Sequence, residues 1–294
     1  MTEKIHLKWP ACGAFEIKLG DVNVAIDPYL FGEALEAAEP IFDYIFISHE
    51  HFDHCHPKTL KKLCTGDRFK KLYVNIGCLT PAEPVDEKYG DAGFARDLPI
   101  TQHIPSEMVQ VIYPKYGEDD DREWPGPCEV DLGPISVEAV ESGEQTRPDL
   151  VTCGYLITHK EKGVSFYHTG DLHKSFPAME NLRGRVDFLI HMKTYDSEPA
   201  EFTRWLEVIE PRCVIPTHYR TDRESEPVPV GHWPPNLTDV NAYLEHLREY
   251  LPEGVRLLPF TAGVEYEIEL PGLQVKWDWE WYRSWTVPLW REES

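Results

Sequence analysis

Apolar residues come in short runs along this chain, and each run stops abruptly at polar ones. Runs at 15–18, 22–26, 44–48 and 72–76 are four or five residues long and rich in β-branched and aromatic side chains, which predicts strands. Between the last two, PKTLKKL at 57–63 sets Leu60 and Leu63 apart from its lysines, which predicts an amphipathic helix opened by Pro57. Strand patterns return at 135–140, 151–158, 164–168, 187–191 and 213–216, and helical patterns at 201–209 and 239–250. The interval 80–133 is rich in Pro, Gly and Asp and contains GEDDDREWPGP. It predicts a long surface excursion, not a linker, because a strand pattern resumes at once. Strands clustered and then interleaved with amphipathic helices predict one α/β domain over 1–294, with sheets covered by helices. In such layers ligands sit beyond strand ends, so polar residues that follow an apolar strand are the ones to read for chemistry.

Composition narrows the partners. Against 29 Lys and Arg stand 51 Asp and Glu, a formal charge of -22, which repels a nucleic-acid backbone or an anionic membrane. The basic runs at 58–62 and 68–71 alternate with Leu60, Leu63 and Phe69, as the outer face of a helix and its exit do. No window is apolar enough for a membrane span and no leader pattern opens the chain, so a cytoplasmic address is expected. Seven cysteines, Cys12, Cys55, Cys64, Cys78, Cys128, Cys153 and Cys213, show no CxxC pair, which fits a reducing compartment. Each reads as a small buried hydrophobe, with Cys55 the one to watch beside the histidines. Five of the nine tryptophans fall in the last eighteen residues, on an aromatic arm at 276–294 that is expected to clad the core or join subunits.

Three strand ends carry dense chemistry. YIFISHEHFDHCHP passes from an apolar strand into His49, His51, Asp53 and His54, with Glu50, Cys55 and His56 among them. Neutral imidazoles and a carboxylate are the donor set of Zn²⁺ and similar divalent ions, and a turn after a strand aims alternate side chains at one point. VSFYHTGDLHKSF delivers His168, Asp171 and His173 into a glycine turn, and RCVIPTHYRT ends in His218. His191, in DFLIHMKTY, also follows apolar residues.

HxHxDH after a strand, followed by the Gly-Asp turn and a last histidine, resembles the metallo-β-lactamase superfamily. The resemblance implies a four-layer αββα sandwich of two mixed sheets flanked by helices. It assigns His49 and His51 to one metal, Asp53, His54 and His218 to a second, and Asp171 as the bridge. His56 has no counterpart. The acid that marks the flavodiiron variant is replaced here by His51. The family's further histidine is missing, since none occurs between His103 and His159. Glu141, at the end of the 135–140 strand, stands where it is expected, and an oxygen-richer site of that kind favours Mn²⁺. With YHTGDLH, VIPTHY, WPACGAFEI and VAIDPYL, that departure is similar to the L-ascorbate-6-phosphate lactonase branch, over roughly residues 9 to 220. By this resemblance Asp27 supports the metal site from behind.

The expected activity is hydrolysis by water activated on two divalent ions, Mn²⁺ or Zn²⁺, with Fe²⁺ a further candidate, acting on a lactone, ester or phosphodiester. Asp53 is expected to orient or deprotonate the water, and His173 or His191 to protonate the leaving alkoxide. The substrate is expected to be a small anionic metabolite, with Arg147, Lys174, Lys193 and Arg220 near the strand ends as anion contacts. Two alternatives share these motifs: a metal-dependent nuclease, against which the acidity argues, and a metal-binding regulatory protein without activity.

Overall fold

The computed structural model describes residues 3–30, 32–51, 53–79, 104–115, 125–142, 152–172, 175–192, 199–218, 247–260, 263–270 and 273–275. The chain opens with β1 (Glu3–Lys8), β2 (Phe15–Leu19), β3 (Val22–Ile26), a short helix α1 (Gly32–Ala37), β4 (Tyr44–Ile47), α2 (Pro57–Leu63), β5 (Lys71–Val74) and β6 (Val109–Val111). It continues with β7 (Glu129–Asp131), β8 (Ile135–Glu141), β9 (Cys153–His159), β10 (Val164–His168), β11 (Phe188–Met192), α3 (Pro199–Ile209) and β12 (Cys213–Thr217). Three strands close it: β14 (Glu265–Leu270) between the two-residue strands β13 (Arg256–Leu257) and β15 (Gln274–Val275).

Two sheets result. One has the order β15-β14-β1-β2-β3-β4-β5-β6 and the other β13-β12-β11-β10-β9-β8-β7. Strand alternation sorts the apolar residues into layers. Phe46 of β4 joins the large core with Phe15, Ile17 and Val24 of its own sheet and Tyr155, Phe166 and Ile190 of the other. Its neighbours Ile45 and Ile47 point outward onto Leu60 and Leu63 of α2. On the far side, Phe202, Trp205, Leu206 and Ile209 of α3 cover the second sheet. The sandwich is therefore helix, sheet, sheet, helix. The Tyr155 hydroxyl donates to the Ile47 carbonyl at 2.6 Å and ties the sheets together. β10, β11 and β12 are buried along their whole length, which explains their unbroken apolar runs.

Besides the short elements α1, β13 and β15, which the sequence reading lacks, the structure departs from it in three places. Within 80–133, expected to be surface excursion, β6 and β7 add parallel and antiparallel edges to the two sheets, and three residues are too few for a periodic pattern to register. β1 and β14 were not predicted, although Ile5 and Leu7 alternate with Lys4, His6 and Lys8, and Tyr266, Ile268 and Leu270 with three glutamates. They pair antiparallel, and the polar face carries Lys4 against Glu267 and His6 against Glu265. Of the helix expected at 239–250, residues 247–249 are described and helical, while the tryptophan arm at 276–294 lies outside the described residues.

Asp43, 4% exposed just before β4, staples the edge of this frame. Its carboxylate accepts the Asn23 amide at 2.9 Å, Arg68 Nη2 at 2.8 Å and Lys70 Nζ at 3.0 Å. Asp43→Ala strands those donors and is expected to cost about 1–3 kcal/mol in urea unfolding, since the backbone amide is covered while the cations reach solvent. A loss within error would show that water replaces the carboxylate.

Candidate metal centre

In each sheet a run of neighbouring strands is parallel: β3 to β6 in one, β10 to β13 in the other. The carboxyl ends of β3, β4, β10 and β12 deliver Asp27, the 48–54 segment, Asp171 and His218. That is where an open α/β sheet presents loops to a ligand. Two glycines let the chain close in. A Cβ on Gly170, which has φ +58°, would lie 2.9 Å from the Cys153 carbonyl oxygen. On Gly13 it would lie 2.6 Å from both His54 Cε1 and Met192 Cε, so the β1–β2 loop can pass over the histidines only as glycine.

Asp27 organises the site from behind. It is fully buried and has φ +45°. Its Oδ1 accepts the Ser48 amide at 2.7 Å and its Oδ2 accepts the Ser48 hydroxyl at 2.6 Å. Oδ2 also lies 2.8 Å from His54 Nδ1. A carboxylate can only accept, so His54 Nδ1 carries the proton. The Ser48 hydroxyl has spent its own proton on Asp27, so it accepts from His49 Nδ1 at 2.9 Å. Both imidazoles are thereby held with Nε2 facing the cluster, as histidine ligands are oriented by a carboxylate behind them.

Around those nitrogens the donors fall into two groups. His49, His54 and Asp171 form one, and Cys12, Asp53 and His218 the other; within each group the donor atoms lie within 4.8 Å of one another. Asp171 stands between them, with Oδ1 at 3.3 Å from His54 Nε2 and 3.7 Å from His218 Nε2, and Oδ2 at 3.6 Å from His49 Nε2. His51 Nδ1 lies 2.8 Å from His49 Nε2 and 4.0 Å from Asp171 Oδ2, beside the first group.

Burial opposes ionisation of Asp53 and Asp171, but His54 and His218 outweigh it and hold both carboxyl groups below the usual carboxylate range. The same carboxylates overcome burial to raise His54 well above an ordinary imidazole and His218 to about 9. His49 moves the other way, lowered by burial and by the charges of His54 and His51. Fully buried His54 Nε2 and Asp171 Oδ1 have no hydrogen-bond partner, an arrangement that costs about 1–3 kcal/mol per atom unless something else satisfies it. Lone pairs of nitrogen, carboxylate oxygen and sulfur converging in a buried, negative site fit a divalent cation.

The structure thus brings together His49, His51, Asp53, His54, Asp171 and His218 from separate strand ends. Glu141 is in neither donor group; it ends β8 partly exposed, paired through its backbone with Cys153. His168, in the VSFYHTGDLHKSF turn, is fully buried, its Nε2 donating to the Gly13 carbonyl at 2.8 Å, and it braces the β1–β2 loop. His191 alternates with Met192: Met192 reaches Gly13 and the cluster, so His191 faces α3, with ring centroids 4.6 Å from Phe202 and 5.3 Å from Trp205. His56 meets Thr59 Oγ1 at 2.7 Å. His103, His173, Arg147, Lys174, Lys193 and Arg220 lie outside the described residues. Cys12 is buried with Ala11, Ala14 and Tyr29, as its reading from sequence as a buried hydrophobe expects, but its Sγ also lies 3.1 Å from Asp53 Oδ2, and no spacing along the chain announces that contact.

Comparison with known proteins agrees with this geometry. The family model of the beta-lactamase superfamily domain matches residues 6–218. A UPF0173 protein from Pyrococcus abyssi is 30% identical over 220 residues, covering 74% of this chain and 84% of its own. A UPF0173 metal-dependent hydrolase from Thermococcus onnurineus is 28% identical over 247 residues, covering 80% and 88%. Among solved structures, Igni18, a metallo hydrolase from Ignicoccus hospitalis, shares the fold with a TM-score of 0.57 at 15% identity, over 92% of this chain and all of that one.

Proposed function

The chain belongs to the metallo-β-lactamase superfamily and, within it, to the UPF0173 metal-dependent hydrolases, and on that premise we propose that it opens a lactone or cleaves an ester or phosphodiester of a small anionic metabolite with two divalent metal ions. The observation that carries this reading is the pair of adjacent three-donor groups, with Asp171 of one within 3.7 Å of His218 of the other. His49, His54 and Asp171, with His51 beside them, would hold one ion, and Asp53 and His218 the other. When bound, such ions acidify water and polarise a carbonyl or phosphoryl oxygen.

The chain's own groups do the rest. His49 and His54 are sealed from solvent and form the floor, whereas the His51 side chain keeps 22% of its surface, so substrate approaches over His51. Asp53 orients the attacking water and takes its proton. His173, two residues after Asp171, is proposed to protonate the leaving alkoxide; His191 takes no part, being packed under α3. The lactonase branch that the motifs resemble names one substrate of this class, a phosphorylated sugar lactone. The charge of -22 turns away polyanions more than small anions, for which a local dication outweighs the screened exterior.

The test is a panel of sugar lactones, their phosphate esters, cyclic nucleotides and short RNA, with elemental analysis of the purified protein and Asp53→Ala as blank. The expected result is close to two metals per chain and turnover of a small anion, abolished by chelation and restored by metal. Turnover confined to RNA would make the protein a nuclease. Bound metal without turnover would make it a binding protein.

A further inference from the structure

We infer that Cys12 is a metal ligand, its sulfur completing with Asp53 and His218 a mixed sulfur, oxygen and nitrogen site unlike the all-nitrogen-and-oxygen group of His49, His54 and Asp171; this deepens the two-metal reading and rests on it. Cys12 is wholly buried beside Ala11, Ala14 and Tyr29, yet its sulfur also meets a charged carboxylate, with Sγ 3.1 Å from Asp53 Oδ2. The same oxygen lies 3.3 Å from His218 Nε2. Three side chains of the kinds that bind zinc thus converge from three separate loops.

The backbone is built to hold them there. Cys12 has φ +52° and His218 φ +61°, both in the left-handed region that residues with a Cβ seldom enter. The Cys12 carbonyl accepts the His218 amide at 3.0 Å and Trp9 Nε1 at 2.8 Å, which locks the two residues against each other. Two strained residues joined by a hydrogen bond and aimed at one carboxylate mark a functional constraint. A second, independent observation points to an ion. Asp171 is 8% exposed and its Oδ1 has no hydrogen bond, while lying 3.7 Å from His218 Nε2.

The step balances without any oxidant. The Sγ–H bond breaks, the proton leaves to solvent by way of the Asp53 carboxylate, and the sulfur lone pair passes to the ion. The consequence is selectivity, because a thiolate favours Zn²⁺, Co²⁺ or Cd²⁺ over Mn²⁺ and Mg²⁺. The two positions therefore differ in kind, and the sulfur-bearing one resists manganese.

Cobalt loading separates the claims. With Co²⁺ added to the metal-free full chain, visible ligand-field bands report binding of any sort, and a near-ultraviolet sulfur-to-cobalt charge-transfer band reports thiolate ligation. The expected result is both signals in the native protein, with the charge-transfer band lost and the ligand-field bands kept in Cys12→Ser. Affinity for Zn²⁺ should fall at least roughly 10–100-fold in that variant, as losing even an outer partner costs that much, while Mn²⁺ binding stays the same. Should Cys12→Ser fail to fold, zinc-edge X-ray absorption on the native protein decides, with a sulfur neighbour at about 2.3 Å expected. Ligand-field bands without charge transfer, or only nitrogen and oxygen around zinc, would overturn the role of Cys12 and leave the metal reading intact. A charge-transfer band that survives Cys12→Ser would overturn it too. No binding of cobalt or zinc at all would overturn both.

Discussion

Asp27→Ala is expected to destabilise the protein by about 3–5 kcal/mol and to weaken its metal binding by roughly 10–100-fold. Asp27 touches no substrate and sits behind the donor cluster, but one carboxylate satisfies the Ser48 amide, the Ser48 hydroxyl and His54 Nδ1, all fully buried. Truncation leaves three donors without an acceptor. It also releases the tautomers of His54 and His49, so their Nε2 lone pairs no longer face the cluster by default. Urea unfolding of the metal-free protein reads the first effect, and chelator competition reads the second. Asp27→Asn separates them: its amide fills the space and keeps one acceptor, so most stability returns while metal affinity stays low. Equal affinities in the Asp27→Asn variant and the native protein would show that the tautomer relay does not matter.

The combined affinity for the two ions is expected to rise at least about 100-fold per pH unit between about pH 6 and 8, because binding displaces one proton from each of two imidazoles, and the Cys12 thiol adds its own where it is a ligand. His54 is raised well above an ordinary imidazole and His218 to about 9, in both cases against burial, by Asp171 and Asp53. The sign follows from linkage. His218 binds its proton more tightly folded than unfolded, where the value is 6.5. Its contribution to the stability of the metal-free chain is complete below pH 6.5 and is lost as pH rises through about 9. The metal-free protein therefore weakens over that window while bound metal takes the place of the protons, and the rise in Tm on adding zinc should widen with pH. Chelator-competition titrations at several pH values measure the slope. A combined rise of only about tenfold per unit would mean that only one imidazole gives up a proton, and a flat profile would remove both from the metal site.

The sequence alone located most of the longer elements and pointed to most of the side chains that the structure brings together. Apolar runs of four or five residues located β2, β3, β4 and β10 within a residue, since a strand buried on one or both faces must be written in consecutive or alternating hydrophobes. HxHxDH, the Gly-Asp turn and His218 were legible because each follows an apolar strand, and a parallel strand presents its carboxyl end to a ligand. What the sequence left undecided depends on which loops meet. His191 and His218 both belong to apolar runs, but one-residue alternation turns His191 under α3 and a left-handed turn past β12 brings His218 into the cluster. Cys12 reads like any buried cysteine until the β1–β2 loop is folded over Asp53, a contact across 41 residues that leaves no periodic trace. Periodicity records what a single element buries. The partners that converge on one carboxylate are set by the stacking of the two sheets, and so only the tertiary structure decided them.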